Sequence, residues 1–193
     1  MSSKTEICNV SLVRLGVTKL IANVDTENSN NARAFRSIFD GERDFVLADF
    51  FWPFAKTYAA LGLVDGSETE PTNYDWRFAY RVPSDCATPR RLSTERDGRK
   101  AATPPPWEVG QDNDGLLIFT DEENAVLEYT ALITNVGRFD PIFRSALSWK
   151  LAKSLAAPLS RIKSIVETCN SQYEIEIDKA RGRALNAKQL DAP

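Results

Sequence analysis

The chain has no histidine. That excludes Ser-His-Asp and Cys-His nucleophilic catalysis, the HExxH metal site and pH switching by imidazole. Cysteine is scarce. Cys8, Cys86 and Cys169 are odd in number, far apart and without a CxxC spacing, which argues against a disulfide framework and a zinc site and favours buried free thiols. No run approaches the ~18 apolar residues that cross a bilayer. Met1 to Glu6 lacks the basic start and apolar stretch of a signal peptide. These absences predict a protein made in the cytoplasm, kept in solution or in an assembly, with no membrane partner. A large charge of one sign is missing as well. The net charge of -3 does not suit a protein whose main work is wrapping nucleic acid.

What is present describes an ordinary globular chain. Its 193 residues fit one domain or a core with one insertion. The pattern predicts a first helix from Thr5, as N-cap, to Leu15, with Ile7, Val10 and Leu15 on a buried side beside Ser11 and Leu12. Gly16 can take the left-handed conformation that ends it. After a polar stretch, a second helix is predicted over Ser29 to Phe51. Ala32, Phe35, Ile38, Phe39, Val46, Leu47 and Phe50 make its apolar face, and Arg33, Arg36, Asp40, Glu42, Arg43 and Asp44 mostly fall elsewhere. Pro53 should stop it at Trp52.

The period then changes. Phe54 to Leu61 suits a strand, and Gly62 to Asn73 a loop. Over Trp76 to Val82, Trp76, Phe78, Tyr80 and Val82 point one way and Arg77, Ala79 and Arg81 the other. Arg90 to Ser93, Trp107 to Gly110, Leu116 to Thr120 and Ala125 to Leu132 read as further short strands, with Asp97-Gly98 and Asp114-Gly115 as turn dipeptides. Helix returns at Asp140-Pro141, an N-cap followed by proline at the first helical position. Phe143, Leu147, Leu151 and Leu155 line one face, and Pro158 should end or kink the helix. A fourth helix is predicted over Ser160 to Gln189, with Ile162, Ile165, Val166, Cys169, Tyr173, Ile177, Ala180 and Ala184 inward.

Each helical end has an apolar face in need of a partner, and the simplest partner is the other end. The expected fold is therefore α+β: a helical bundle built from both chain ends, residues 1–53 plus 138–193, with a small antiparallel β domain, 54–137, inserted between.

This order and several local strings resemble the tail tubular protein A family, the head-to-tail adaptors of short-tailed phages. The strings are Ile7-Cys8-Asn9-Val10-Ser11-Leu12-Val13-Arg14-Leu15-Gly16; Arg43-Asp44 to Phe50 with Trp52-Pro53-Phe54-Ala55; and Trp76, Phe78-Ala79-Tyr80, Pro83 and Asp85-Cys86. Trp107-Glu108-Val109, Glu128-Tyr129, Phe139-Asp140-Pro141, Phe143, Ala146-Leu147, Leu151-Ala152 and Leu155-Ala156 follow. Pro53 stands where the family often has asparagine. The resemblance implies a structural protein of the virion tail, assembled in the host cytoplasm. It implies a ring of twelve copies that binds portal above, tail tube (nozzle) protein below and, in some phages, tail fibres, with DNA crossing its channel. It implies no catalysis and no cofactor. An envelope-polysaccharide hydrolase and an unrelated soluble helical binding module are the alternatives.

Candidate residues follow. Arg90, Arg91, Arg96, Arg99 and Lys100 form the densest basic run, open to portal, a neighbouring subunit or a phosphate backbone, or simply solvated. Residues 101 to 137 hold seven acids and no Lys or Arg, which suits contact between copies, an acidic channel wall or a solvated face. The end of the last helix, with Arg181, Arg183, Lys188, Gln189 and Leu190, is expected to reach the portal. Trp76, Phe78, Tyr80 and Trp107 read as the apolar face of a half-buried sheet rather than a base-stacking platform. Asp121, Glu122 and Glu123 read as a solvated turn rather than a glycosidase pair or a cation site.

Overall fold

A computed structural model describes residues 3–64, 75–94, 104–160 and 162–190, with the side chains among them except at 94 and 184–190. The fold is α+β, with helices at both ends of the chain and small antiparallel sheets between. Two compact units result: Met1–Phe54 with Ile133–Pro193, and Ala55–Leu132.

In the helical unit, α1 spans Lys4–Arg14, α2 Asn30–Asp49, α3 Pro141–Leu159 and α4 Lys163–Leu190. Ser3, not Thr5, caps α1: its Oγ accepts from the Glu6 N–H at 3.1 Å. Thr5 instead accepts from the Val24 N–H, tying the segment after the helix back to its start. Ile7, Cys8, Ser11, Leu12 and Leu15 are buried. Val10 is not; it is 41% exposed, because it falls on the far side of the helix with Val13. Gly16 has φ +72, and the N–H groups of Gly16 and Val17 close on Val13 and Leu12, as a left-handed C-terminal cap requires.

Ser29 caps α2 through the Ala32 N–H. The helix ends at Asp49, three residues before Trp52, and Phe50 is already extended. Trp52 folds back and its Nε1 donates to the Val46 carbonyl at 2.7 Å, satisfying one of the acceptors a helix end leaves open. Its ring meets Phe50 and Phe143 edge-on, at 4.9 and 5.0 Å. Arg43 is a correction. It is buried, its stem inside and its guanidinium held by Asp40 and Asp44 at 2.7 and 2.8 Å. Phe54 is another: it sits in a 3-10 turn, Pro53–Ala55, and packs on Phe139 and Phe143 in this unit.

Asp140 caps α3, accepting from the Phe143 N–H at 2.7 Å, with Pro141 first in the helix. Pro158 lies in the last turn, so it ends the helix. On α4, Cys169, Tyr173, Ile177 and Ala180 are buried, whereas Ile162 precedes the helix and is 56% exposed. Cys8, Cys86 and Cys169 are free; burial raises the first to about 12.

The β unit holds two antiparallel sheets, ordered β1-β7-β4 and β2-β3-β6-β5. The strands are β1 Lys56–Ala60, β2 Gly62–Leu63, β3 Phe78–Arg81, β4 Cys86–Thr94, β5 Trp107–Asp112, β6 Gly115–Thr120 and β7 Ala125–Ala131. Gly62 and Leu63 are thus strand rather than loop. Pro89 is tolerated because β4 is an edge. Phe78, Ala79 and Tyr80 are all buried, so both faces of β3 are covered. Trp76 precedes the strand and escapes its period: it packs against Ala79, Leu117 and Phe119, on the face opposite the one that Phe78 and Tyr80 share. Asp97-Gly98 lies outside the described residues.

Two glycines give opposite expectations. A Cβ at Gly110 would meet Phe119 Cε2 at 2.2 Å, whereas nothing lies within 4 Å of one at Gly182, inside α4. Gly110→Ala should therefore lower stability in thermal or urea unfolding by about 1–3 kcal/mol. Gly182→Ala should raise it, by up to about 1 kcal/mol.

Candidate interaction surfaces

The basic run begins inside the three-stranded sheet. Along β7, Leu127 and Tyr129 face one way and Glu128 and Thr130 the other. Register sets Tyr58 and Arg91 opposite Glu128, and Lys56 and Thr88 opposite Thr130. Glu128 is buried and forms an ion pair with Lys56, and the Tyr58 hydroxyl donates to it at 3.3 Å. Burial works against the Lys56 cation, but its bonds to Glu128 and Tyr58 prevail and its pKa is raised. Arg90 Nε donates to Thr130 Oγ1 at 2.9 Å. Arg90 and Arg91 are thus half-buried strand residues beside a buried acid. Arg96, Arg99 and Lys100 lie outside the described residues. On the other face, the Tyr129 hydroxyl donates to Asp85 at 2.9 Å; burial and that carboxylate push the phenol up to about 12.

The acidic stretch folds into two turns. At β5–β6, Asp112 accepts from the Asp114 and Gly115 N–H groups and takes both ends of the Arg81 guanidinium at 2.6 and 2.7 Å. Arg81 holds its carboxyl down at about 2. Gly115, at φ +136, allows the turn to close. At β6–β7, Asp121 accepts from the Arg77 N–H, and the Glu122 carbonyl accepts from the Tyr80 hydroxyl. Asp121 and Glu122 therefore organise the turn. No group of three metal-ligating side chains occurs among the described residues. Glu108 accepts from Trp76 Nε1, and Glu108, Asp114, Asp121 and Glu123 are exposed. Phe78 and Tyr80 are buried and Trp107 half-buried on one face of the sheet, whereas half-buried Trp76 packs on the other, so the expected single aromatic face is corrected: it lacks Trp76.

In the helical unit the notable surface is the outside of α1. Val10, Val13 and Leu20 are 41%, 63% and 50% exposed. They border two open clefts of 330 and 570 Å³, which share Glu6, Val10 and Arg14. Arg14 is fixed: Nη1 donates to the Ser145 carbonyl and Ser148 Oγ, and the guanidinium lies 4.0 Å over Trp149. Burial lowers it to about 10. Arg144 borders the smaller cleft with no ion pair or side-chain hydrogen bond among the described residues. The sequence reading missed this surface by counting Val10 toward the core; the valine at position 13 was the available signal.

At the end of α4, Arg181 pairs with Asp178 at 3.1 Å and lies 4.0 Å from Asp49. Arg183 is exposed. Lys188, Gln189 and Leu190 complete the helix, their side chains outside the described set. The structure thus brings Arg90 and Arg91 together, through the irregularity in β4, whereas Arg181 and Arg183, two residues apart on one helix, do not share a face.

No protein-family model matches the chain, and no curated protein matches it significantly.

Asp112 yields a pH prediction. Its carboxyl titrates near 2 in the fold, against an ordinary 3.8. Its stabilising contribution is present above about pH 4 and disappears as pH falls through about 2. Asp112→Asn should lower the melting temperature at pH 7, and the gap from the parent should narrow between pH 4 and pH 2. A gap constant over that range would rule out ionisation as its source.

Proposed function

We propose that this chain is a structural head-to-tail adaptor of a short-tailed phage. Copies form a ring between portal and tail tube protein, with DNA passing through the channel, and the chain catalyses nothing. The observation that supports this reading is how the family-like strings pair. Ser11, in the first, hydrogen-bonds to the Ser148 carbonyl beside Ala146-Leu147. Trp52 and Phe54 meet Phe143 and Phe54 meets Phe139, joining the Trp52–Ala55 string to the third-helix string. Asp85 accepts from Tyr129, joining two strings of the β unit. Strings scattered over the chain are therefore packing partners, which is how a shared fold leaves traces in sequence.

The role is mechanical. Complementary surfaces close a ring, and the symmetry of the portal supplies the template. Purified chain mixed with portal assemblies from the same phage should add a density ring beneath each portal in negative-stain micrographs. Absence of co-assembly over micromolar to ~100 μM mixtures would overturn the reading.

A further inference from the structure

Among the described residues, five exposed large apolar side chains lie at two places that also carry opposite charges. The first is the outside of α1, with Val10 and Val13 one turn apart and Leu20 beside them. Arg14 and Arg144 border it, with Glu6 as its one acid among the cleft-lining residues described. The second is the β5–β6 hairpin. Val109 and Leu116 are each 44% exposed, and both belong to the face that carries Ile118, since Gln111 pairs with Leu116 two residues beyond Val109. Asp114 stands exposed at the turn, its carboxylate in no hydrogen bond among the described residues, and Glu108 is exposed on β5. From 104 to 137 the sequence has no Lys or Arg, and Arg81, the cation that β3 brings to this turn and that also feels Asp114, is bound at both ends of its guanidinium by Asp112. Other exposed apolar residues are placed differently. Phe45 is covered by the Lys150 ammonium at 3.7 Å, and Ile175 stands among polar residues of α4.

We propose that these surfaces meet between copies, the α1 face of one chain against the β5–β6 hairpin of the next, with Arg144 facing Asp114. This rests on the ring reading above and supplies its subunit contact. The charges choose among the possible pairings. Two α1 faces together would oppose Arg144 to Arg144, and two hairpins would oppose Asp114 to Asp114; both are penalised by like-charge repulsion. The mixed pairing removes both penalties and covers both valine-bearing patches. It is also heterologous, joining different surfaces on each copy, which is the type of contact that propagates into rings. Because the charged groups stay near water, the contact weakens as salt rises.

The test uses the full chain and sedimentation velocity, from about 10 μM to 1 mM protein, in low and high salt. The parent should self-associate, less so in high salt. Arg144→Glu and Asp114→Arg should each weaken association by roughly three- to tenfold, while melting temperatures stay near the parent's. The double variant, Arg144→Glu with Asp114→Arg, should recover most of the loss because the pair is restored with its signs exchanged. Single variants that associate like the parent, or a double variant no better than either single, would refute the pairing even if the chain builds rings on portal. A parent that stays monomeric throughout would refute it too, and the portal mixture would still decide the adaptor reading on its own.

Discussion

The helical unit depends on α3 being buried on almost every side. Phe143, Ala146, Leu147, Ser148, Leu151, Ala152, Leu155 and Ala156 are all buried, a set too wide for one neighbouring helix to cover. Each large apolar side chain among them is worth about 1.5–3 kcal/mol when removed from water. Collecting that energy takes three partners, α1, α2 and α4. Two of those come from the first fifty residues. Long-range closure of the chain is therefore forced by the composition of a single helix, and the β unit must loop out between α2 and α3 in sequence.

Burying α3 so fully also forces its polar neighbours to be satisfied. The Ser11 hydroxyl lies within hydrogen-bond distance of the Ser148 carbonyl and the Ile7 carbonyl, at 2.9 and 3.0 Å. Arg14 reaches Ser145 and Ser148, and Tyr173 donates to Asp49 at 3.0 Å across 124 residues of sequence. A polar group left bare in such a place costs about 1–3 kcal/mol, so these bonds act mainly by excluding alternative registers. Trp52 does the same at the exit of α2. Its indole fills the space beside Phe143, and its N–H closes the helix on Val46.

The parts that were legible in the sequence are those set by local chemistry. Ser29 and Asp140-Pro141 announce helix starts because their side chains and ring act within one turn; Asp140 caps as read, and Ser29, read as the first residue of its helix, is its cap. Gly16 ends α1 because little else tolerates its φ. The misreadings have other causes. Ser3 and Thr5 both suit a cap locally; Thr5 is diverted by Val24, nineteen residues away. Arg43 looks like a surface residue until Asp40 and Asp44 hold its head at the boundary. Phe54 reads as strand by its neighbours, but Phe139 and Phe143 claim it. Val10 was credited to the core by spacing, yet α1 has only one side facing α3. For Thr5 and Phe54 a contact distant in sequence outweighed a local preference. The surfaces were less legible still, since which charges remain outward depends on which are paired inside.

That pairing changes what the net charge means. By composition the chain is nearly neutral, at -3. In the β unit, however, cations are turned to internal work. Lys56 is held by Glu128, Arg81 by Asp112, and Arg90 by Thr130. Several acids of the same unit remain at the rim, at Glu108, Asp114, Asp121 and Glu123. Cations held at short range by partners project weaker fields than free ones, so at the β5–β6 hairpin, within about 10 Å, the screening distance at 0.1 M salt, the exposed carboxylates among the described residues outweigh the paired Arg81. The hairpin carrying Glu108 and Asp114 also exposes Val109 and Leu116. Apolar area supplies attraction without choice of partner, whereas the rim charges discriminate between partners of either sign. A surface built this way is suited to selecting a basic counterpart, and its sign arises from the lack of Lys and Arg between 104 and 137 together with the way the sheet occupies Arg81, not from the net charge of the chain.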